Sequence, residues 1–188
     1  KNSVSRNSDG NISSAAGNIR FLGSDDTIST QGGDIIFEAR GDIAIGSLIS
    51  NGGDISITGK TFNLVGNINS GTGNINIGSE NKIFLGGNGL SGCGVGFVDL
   101  CDMSLEQSEL NRISGKKLSI GGNLGGFYNG DIFVNGVTLT SFNDGVALNV
   151  DTHVSGSKGA IFFQADSSFS SLEARAINGI TLDANVDI

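Results

Sequence analysis

The sequence predicts an all-β fold, a parallel β-helix built from coils of about twenty residues, and three observations carry that prediction. Residues 32–91 divide into three consecutive blocks, GGDIIFEARGDIAIGSLISN, GGDISITGKTFNLVGNINSG and TGNINIGSENKIFLGGNGLS, which align without a gap. They place Gly33, Gly53 and Gly73 in one column, Asp34, Asp54 and Asn74 in the next, then Ile35, Ile55 and Ile75, with Phe37, Ile57 and Ile77 two residues on. A fixed period of this length marks a stacked repeat. The second observation is the alternation inside each strand, apolar at the first and third positions and free in the middle, so that one face is dictated. The third is composition: 31 glycines and no proline, which supplies corners while leaving every strand N–H able to pair. Glycine without a three-residue period excludes collagen, and the regular Ile and Phe positions exclude a disordered linker.

Each element follows from the same pattern. Gly17-Asn18-Ile19-Arg20-Phe21 foreshadows the first regular coil but stands sixteen residues before Gly33, so that coil is expected to have a trimmed turn. Regular coils then occupy residues 32–91, each with a second strand closed by the column Gly46, Gly66 and Gly86 directly after Ile45, Val65 and Leu85. The corner Asp or Asn is expected to bond its own backbone in an Asx-turn. The period breaks over residues 92–115, where Ser104 and Gln107 have capping-box spacing, Leu105, Leu110 and Ile113 form an apolar stripe, and Gly115 sits where a helix C-cap would be. A short helical or loop excursion is therefore expected there. Coils resume over residues 116–188, with strands expected at 117–121, 130–134, 137–139, 146–148, 159–163 and 179–182, and an insertion around 142–157. The step from Gly159 to Gly179 is again twenty. A linear stack has no natural internal boundary, so residues 1–188 are expected to be one solenoid domain, a segment of a longer repetitive protein.

Charge and hydropathy bound the partners. The formal net charge is −8, which disfavours nucleic acid and anionic membranes. No apolar run approaches the roughly 18 residues needed to span a bilayer, and the first twenty residues lack a continuous apolar segment of the signal-peptide kind. Neither nucleic-acid binding nor membrane insertion is expected.

Residues 105–113, LEQSELNRI, followed by Leu118-Ser119-Ile120-Gly121 and Gly130-Asp131-Ile132, resemble a recurring unit of very large secreted adhesins of the filamentous haemagglutinin type. In those units a Glu-Leu-x-x-Ile segment precedes a strand ending in Ile-Gly, and a Gly-Asp-Ile strand comes next. The surrounding Gly-Asx-Ile-x-Ile repeats resemble the same group. The resemblance implies a right-handed parallel β-helix, export from a bacterial cell to its surface or beyond, and a role as stalk, filament or contact module. It brings no catalytic residues.

Few side chains suggest chemistry. Cys93 and Cys101, inside the irregular segment, are expected to form a local disulfide in preference to a metal pair, with two buried thiols as the alternative. Closing so short a loop would stabilise it by roughly 2–3 kcal/mol on the chain-entropy model. The pair departs from the adhesin pattern, in which cysteine is seldom present. His153, the only histidine, has no nucleophile motif around it and reads as a solvated or turn residue. Asp25 beside Asp26, and Glu38 with Arg40 on one strand, offer carboxylates, but a polysaccharide-cleaving site needs clustered carboxylates and sugar platforms, and the chain has no Trp and one Tyr. Phe127 and Tyr128 are the candidate glycan contact. Asp34 stacked over Asp54 would repel unless the carboxylates cap backbone amides or share calcium, and capping is preferred because the calcium-roll nonapeptide is absent. Thr58, Thr61 and Thr72 fall in three different columns, which excludes an ice-binding face. The expected function is thus a structural and adhesive module, not an enzyme and without cofactors, whose partners are other copies of itself or neighbouring repeats and host or matrix glycans. A carbohydrate-binding or polysaccharide-cleaving β-helix is the alternative.

Overall fold

The structure is a computed structural model that describes residues 5–6, 12–14, 19–20, 26–87, 103–122, 124, 129–151 and 159–188. These residues are all-β apart from one short helix. The chain begins with β1 (Ser5–Arg6), β2 (Ile12–Ser14), β3 (Ile19–Arg20) and β4 (Thr27–Ser29). The regular blocks supply β5 (Ile35–Ala39), β6 (Ile43–Ile45), β7 (Ser47–Ile49), β8 (Ile55–Thr58), β9 (Phe62–Leu64), β10 (Ile68–Asn69), β11 (Ile75–Gly78) and β12 (Ile83–Gly86). Then come β13 (Met103–Leu105), α1 (Gln107–Leu110), β14 (Ile113–Ser114), β15 (Leu118–Gly121), β16 (Ile132–Asn135) and β17 (Thr138–Leu139). The chain closes with β18 (Val146–Val150), β19 (Ile161–Ala165), β20 (Ser167–Phe169), β21 (Leu172–Ala176), β22 (Ile180–Leu182) and β23 (Val186–Asp187).

The first sheet runs β1-β2-β5-β8-β11-β15-β18-β21, and only its β1–β2 pair is antiparallel among the described pairings. Second strands of successive blocks form β3-β6-β9 and β13-β12-β16-β19-β22, and third strands form β4-β7-β10-β14 and β17-β20-β23. Ile35, Ile55, Ile75 and Leu118 lie opposite one another and are fully buried. Alternation thus does what the sequence demands: inward residues form one apolar cluster, mostly aliphatic with Phe37, Phe62, Phe142, Phe163 and Phe169 among them, each large side chain worth about 1.5–3 kcal/mol in apolar area removed from water.

Glycine at the corners answers to a neighbour more than to its own dihedrals. Gly53 and Gly73 have ordinary φ, but a Cβ on Gly73 would stand 2.1 Å from the carbonyl oxygen of Gly53, and one on Gly53 would stand 2.4 Å from that of Gly33. Successive backbones meet there with no room for a side chain. The corner acids also reach between blocks. The Asx-turn expectation is corrected: Asp34 Oδ1 accepts the amide of Asp54 at 2.8 Å, and Asp54 Oδ1 that of Asn74 at 2.7 Å. An amide directly above is a better-placed donor than the chain's own next turn, and each of the two stacked carboxylates thereby caps a backbone amide. Asp131 and Asp166 repeat the device with the amides of Ala160 and Asn185.

Three other expectations change. The column Ile45, Val65, Leu85 is not a structural column: β6 pairs with β9 as Ile43↔Phe62, Ala44↔Asn63 and Ile45↔Leu64, so the second block slips by one residue. Phe62 and Leu64 are the apolar alternating pair and turn inward, which leaves Val65 as an extra residue, 39% exposed, before Gly66. The excursion over residues 92–115 is shorter than expected, because Met103–Leu105 pairs with β12 and Ile113–Ser114 with β10. The helix keeps only one turn; Glu106 and Glu109, not Ser104 and Gln107, occupy the capping positions, since Ser104 belongs to β13, and Asn111 rather than Gly115 is the C-cap. The insertion expected at 142–157 is corrected over its first part, for Phe142 is buried and Val146–Val150 pairs with both β15 and β21; residues 152–157 lie outside the described residues. Strands β20 and β21, which the sequence reading passed over, complete the last turns, and the final step is one short of twenty, Ile161↔Ile180.

Candidate functional site: a clamped bulge and an outward groove

The most specific motif in the sequence, residues 105–113, folds into a clamp. Beside β12, the chain doubles back: β13 pairs with β12 on the side away from β16, and so lies between β12 and β9. The second row of strands thereby gains a member that the first sheet lacks. Helix α1 then reaches the end of β9, the last strand of the β3-β6-β9 sheet, where Val65 and Gly66 both donate to the Ile45 carbonyl and the Leu64 main-chain groups face away from β6. Glu109 Oε1 accepts the Leu64 amide at 3.1 Å, while its Oε2 accepts the amide of Glu106 at 3.0 Å. Arg112 donates to the carbonyls of Leu64 and Val65 at 2.5 and 2.9 Å. On the other side, Gln107 pairs with both the amide and the carbonyl of Thr138, each at 2.9 Å, as a strand residue would. Leu110 and Ile113 anchor the turn in the core. Side chains thus replace an absent backbone, and the arrangement positions strands.

Along the outward face of the second strands two surfaces follow one another. Phe84, Phe133 and Phe162 lie in register and stack with ring centroids 4.8 and 5.0 Å apart, at interplanar angles of 10° and 11°. Their faces are turned onto one another, so the ladder offers ring edges outward, which suits strand-to-strand cohesion better than a sugar platform. Ser104 stands next to Phe84 with its hydroxyl buried and without a partner. Across β3, β6 and β9 the row is instead Arg20, Ala44 and Asn63, and a groove of about 440 Å³ opens there. Asp42 and Thr61 border it, joined by a 2.8 Å hydrogen bond from the Thr61 hydroxyl to Asp42 Oδ1, and Val65 borders it as well.

The remaining charged groups are dispersed. Lys116 pairs with Asp144 at 3.0 Å, and Glu173 pairs with Lys117 at 3.2 Å and Arg175 at 2.5 Å. The Lys117 hydrogen bond, with the nearby Arg175 charge, holds the Glu173 carboxyl below the usual range. Among the described residues no three His, Cys, Asp or Glu side chains converge as a metal site, and no helix is long and apolar enough to cross a membrane. Glu38 points outward from β5, and Arg40 just beyond it is exposed. Asp26 is exposed; Asp25, the cysteine pair Cys93 and Cys101, the candidate glycan contact Phe127 and Tyr128, and His153 lie outside the described residues. The Arg20, Ala44 and Asn63 row is hidden from a gap-free alignment because the expectation of a trimmed turn before Gly33 is wrong: Ile19–Arg20 lies opposite Ile43–Ala44 while Ile12–Ser14 takes the place beside β5, so that first block is longer than twenty residues, and the one-residue slip then displaces Asn63. Compared with protein-family models, curated proteins and solved structures, the chain matches none of them.

Proposed function

We propose that this chain is a right-handed parallel β-helical segment of a protein exported to a bacterial surface or beyond, and that it serves as a rigid structural and adhesive module rather than an enzyme. The observation that carries the reading is the shared register. In the regular blocks, the strands of one block pair in parallel with their equivalents in the next, in three separate rows, and inward residues fall on inward residues. Such pairing generates length and stiffness, and leaves the outward row and the loops for contact. The resemblance to filamentous haemagglutinin-type adhesins rests on residues 105–113, whose Glu109 and Arg112 bind backbone as a scaffold motif would. At the β21, β22 and β23 edge, Ile180 and Leu182 are 44% and 63% exposed. That apolar edge with its main-chain groups suits stacking of a further coil, from the same polypeptide or a second copy.

Small-angle scattering and electron microscopy of the purified chain test the scaffold reading. An elongated particle with a constant cross-section is expected, and a compact sphere would overturn it. Lyase and hydrolase assays on acidic and neutral polysaccharides test the rest. No turnover is expected; turnover abolished by replacing Asp42 or Glu38 would make the chain an enzyme.

A further inference from the structure

Apart from the Thr61–Asp42 hydrogen bond, the polar side chains along the groove over β3, β6 and β9 face outward from the ladder, and their chemistry suits a ligand. The register sets Arg20, Ala44 and Asn63 side by side. At the strand spacing of about 4.8 Å, the two long polar side chains stand roughly 10 Å apart with a single methyl group between them. Asp42 and Thr61 precede that row along the strands, and Val65 follows it. The groove of about 440 Å³ falls within the roughly 300–1,000 Å³ typical of small-molecule sites.

Its chemistry is mixed and balanced. Arg20 offers only donors and Asn63 both donors and acceptors, whereas Asp42 offers acceptors alone. A carboxylate has about four lone-pair positions, of which the Thr61 hydroxyl takes one at Asp42. One positive and one negative formal charge cancel. A sulfated or phosphorylated ligand would meet a single cation with a carboxylate close by, on a chain carrying a net charge of −8. An extended peptide would lack main-chain partners, because β6 is already paired on both sides by β3 and β9. A hydrocarbon ligand would find Ile43, Ala44 and Val65 set among four polar side chains, Arg20, Asp42, Thr61 and Asn63. A neutral sugar fits all of these at once: its hydroxyls donate to Asp42 and accept from Arg20 and Asn63, and its C–H face rests on the Ala44 methyl and Val65.

We propose that this groove binds a neutral oligosaccharide along the strand direction, with Asn63, Arg20 and Asp42 as the hydrogen-bonding residues and Ala44 as the floor. The proposal goes beyond the scaffold reading and is tested apart from it, since particle shape does not depend on the groove. The experiment is a titration of the isotope-labelled chain with cellobiose, chitobiose and lactose, followed by amide NMR, with a glucuronate-containing disaccharide and a heparin disaccharide in parallel. Shifts confined to the amides of β3, β6 and β9 are expected with at least one neutral sugar, and weaker responses with the acidic ones. Asn63→Ala should weaken binding by roughly tenfold, and Ala44→Arg, which fills the floor from the outward face, should abolish it while the amides of β11 and β15 keep their positions. Asn63→Ala decides the matter if Ala44→Arg fails to fold. Silence from all neutral sugars, shifts elsewhere on the chain, preference for the acidic disaccharides, or indifference to the variants overturns the proposal.

Discussion

At the scale of single residues, the corner glycines illustrate a constraint that reads only in one direction along the chain. Gly33, Gly53 and Gly73 share a column, yet a Cβ on Gly33 would meet nothing nearer than 3.8 Å, whereas on Gly73 it would meet a backbone oxygen at 2.1 Å. Gly33→Ala should therefore be tolerated or slightly stabilising, by up to about 1 kcal/mol through the unfolded chain. Gly73→Ala should cost about 1–3 kcal/mol as an overpacked contact that cannot relax without moving a whole turn; urea titration of the two variants checks the contrast. Glu173 allows a pH test. Its carboxyl is held low by Lys117 and then Arg175, so its contribution is present above the pKa of an ordinary glutamate and is lost as pH falls through its own, lower value. Following the side-chain carboxyl by NMR should place its midpoint below that of an ordinary glutamate, and Lys117→Met should move it upward.

At the scale of elements, α1 is too short to be stable by itself and exists because its side chains complete strands around it. Glu109→Ala would leave the Leu64 amide without its partner, and Arg112→Ala would do the same for the carbonyls of Leu64 and Val65. Each should cost about 1–3 kcal/mol, and the double variant should cost less than the sum, since both grip one bulge. Chemical denaturation of the three proteins measures this coupling. The Phe84, Phe133 and Phe162 ladder works alongside, each stacked pair adding about 0.5–1.5 kcal/mol beyond its buried area. Much of this level was hidden in the letters. Phe62 and Leu64 alternate correctly, but counting twenty residues from Ile45 lands on Val65, because a period counts positions while a sheet counts faces. Met103–Leu105 is three residues long and pairs out of chain order, so nothing in its spacing announces a strand.

At the scale of the whole molecule, the column at Ile35, Ile55 and Ile75 was legible because each of them directly follows a corner Gly and an Asp or Asn, which pins its place. The groove was not, since Arg20, Ala44 and Asn63 sit at unequal separations and become neighbours only through the slip. The same logic predicts how the stack answers to shortening. Deleting residues 33–52 joins Gly32 to Gly53 and keeps the Leu64–Val65 bulge beneath α1. Deleting residues 53–72 joins Gly52 to Gly73 and sets Ile45, without a bulge, beneath Glu109 and Arg112. Both proteins should fold with a smaller denaturant slope, and the second should unfold at a lower midpoint, by about 1–3 kcal/mol. Equal midpoints would show that the clamp does not depend on the bulge.

The doubling back of the chain at β12 and β13 bears on how the molecule answers to force. A stack that always advances can be peeled from an end, one turn after another, each released by breaking a single set of ladder bonds. Here β12 is held between β13 and β16, and the lap that follows it passes beneath it. Both partners follow β12 in the chain, so a pull from the amino-terminal side must break two ladders to free it, and on the proposed β-helical reading this strand would act as a mechanical stop.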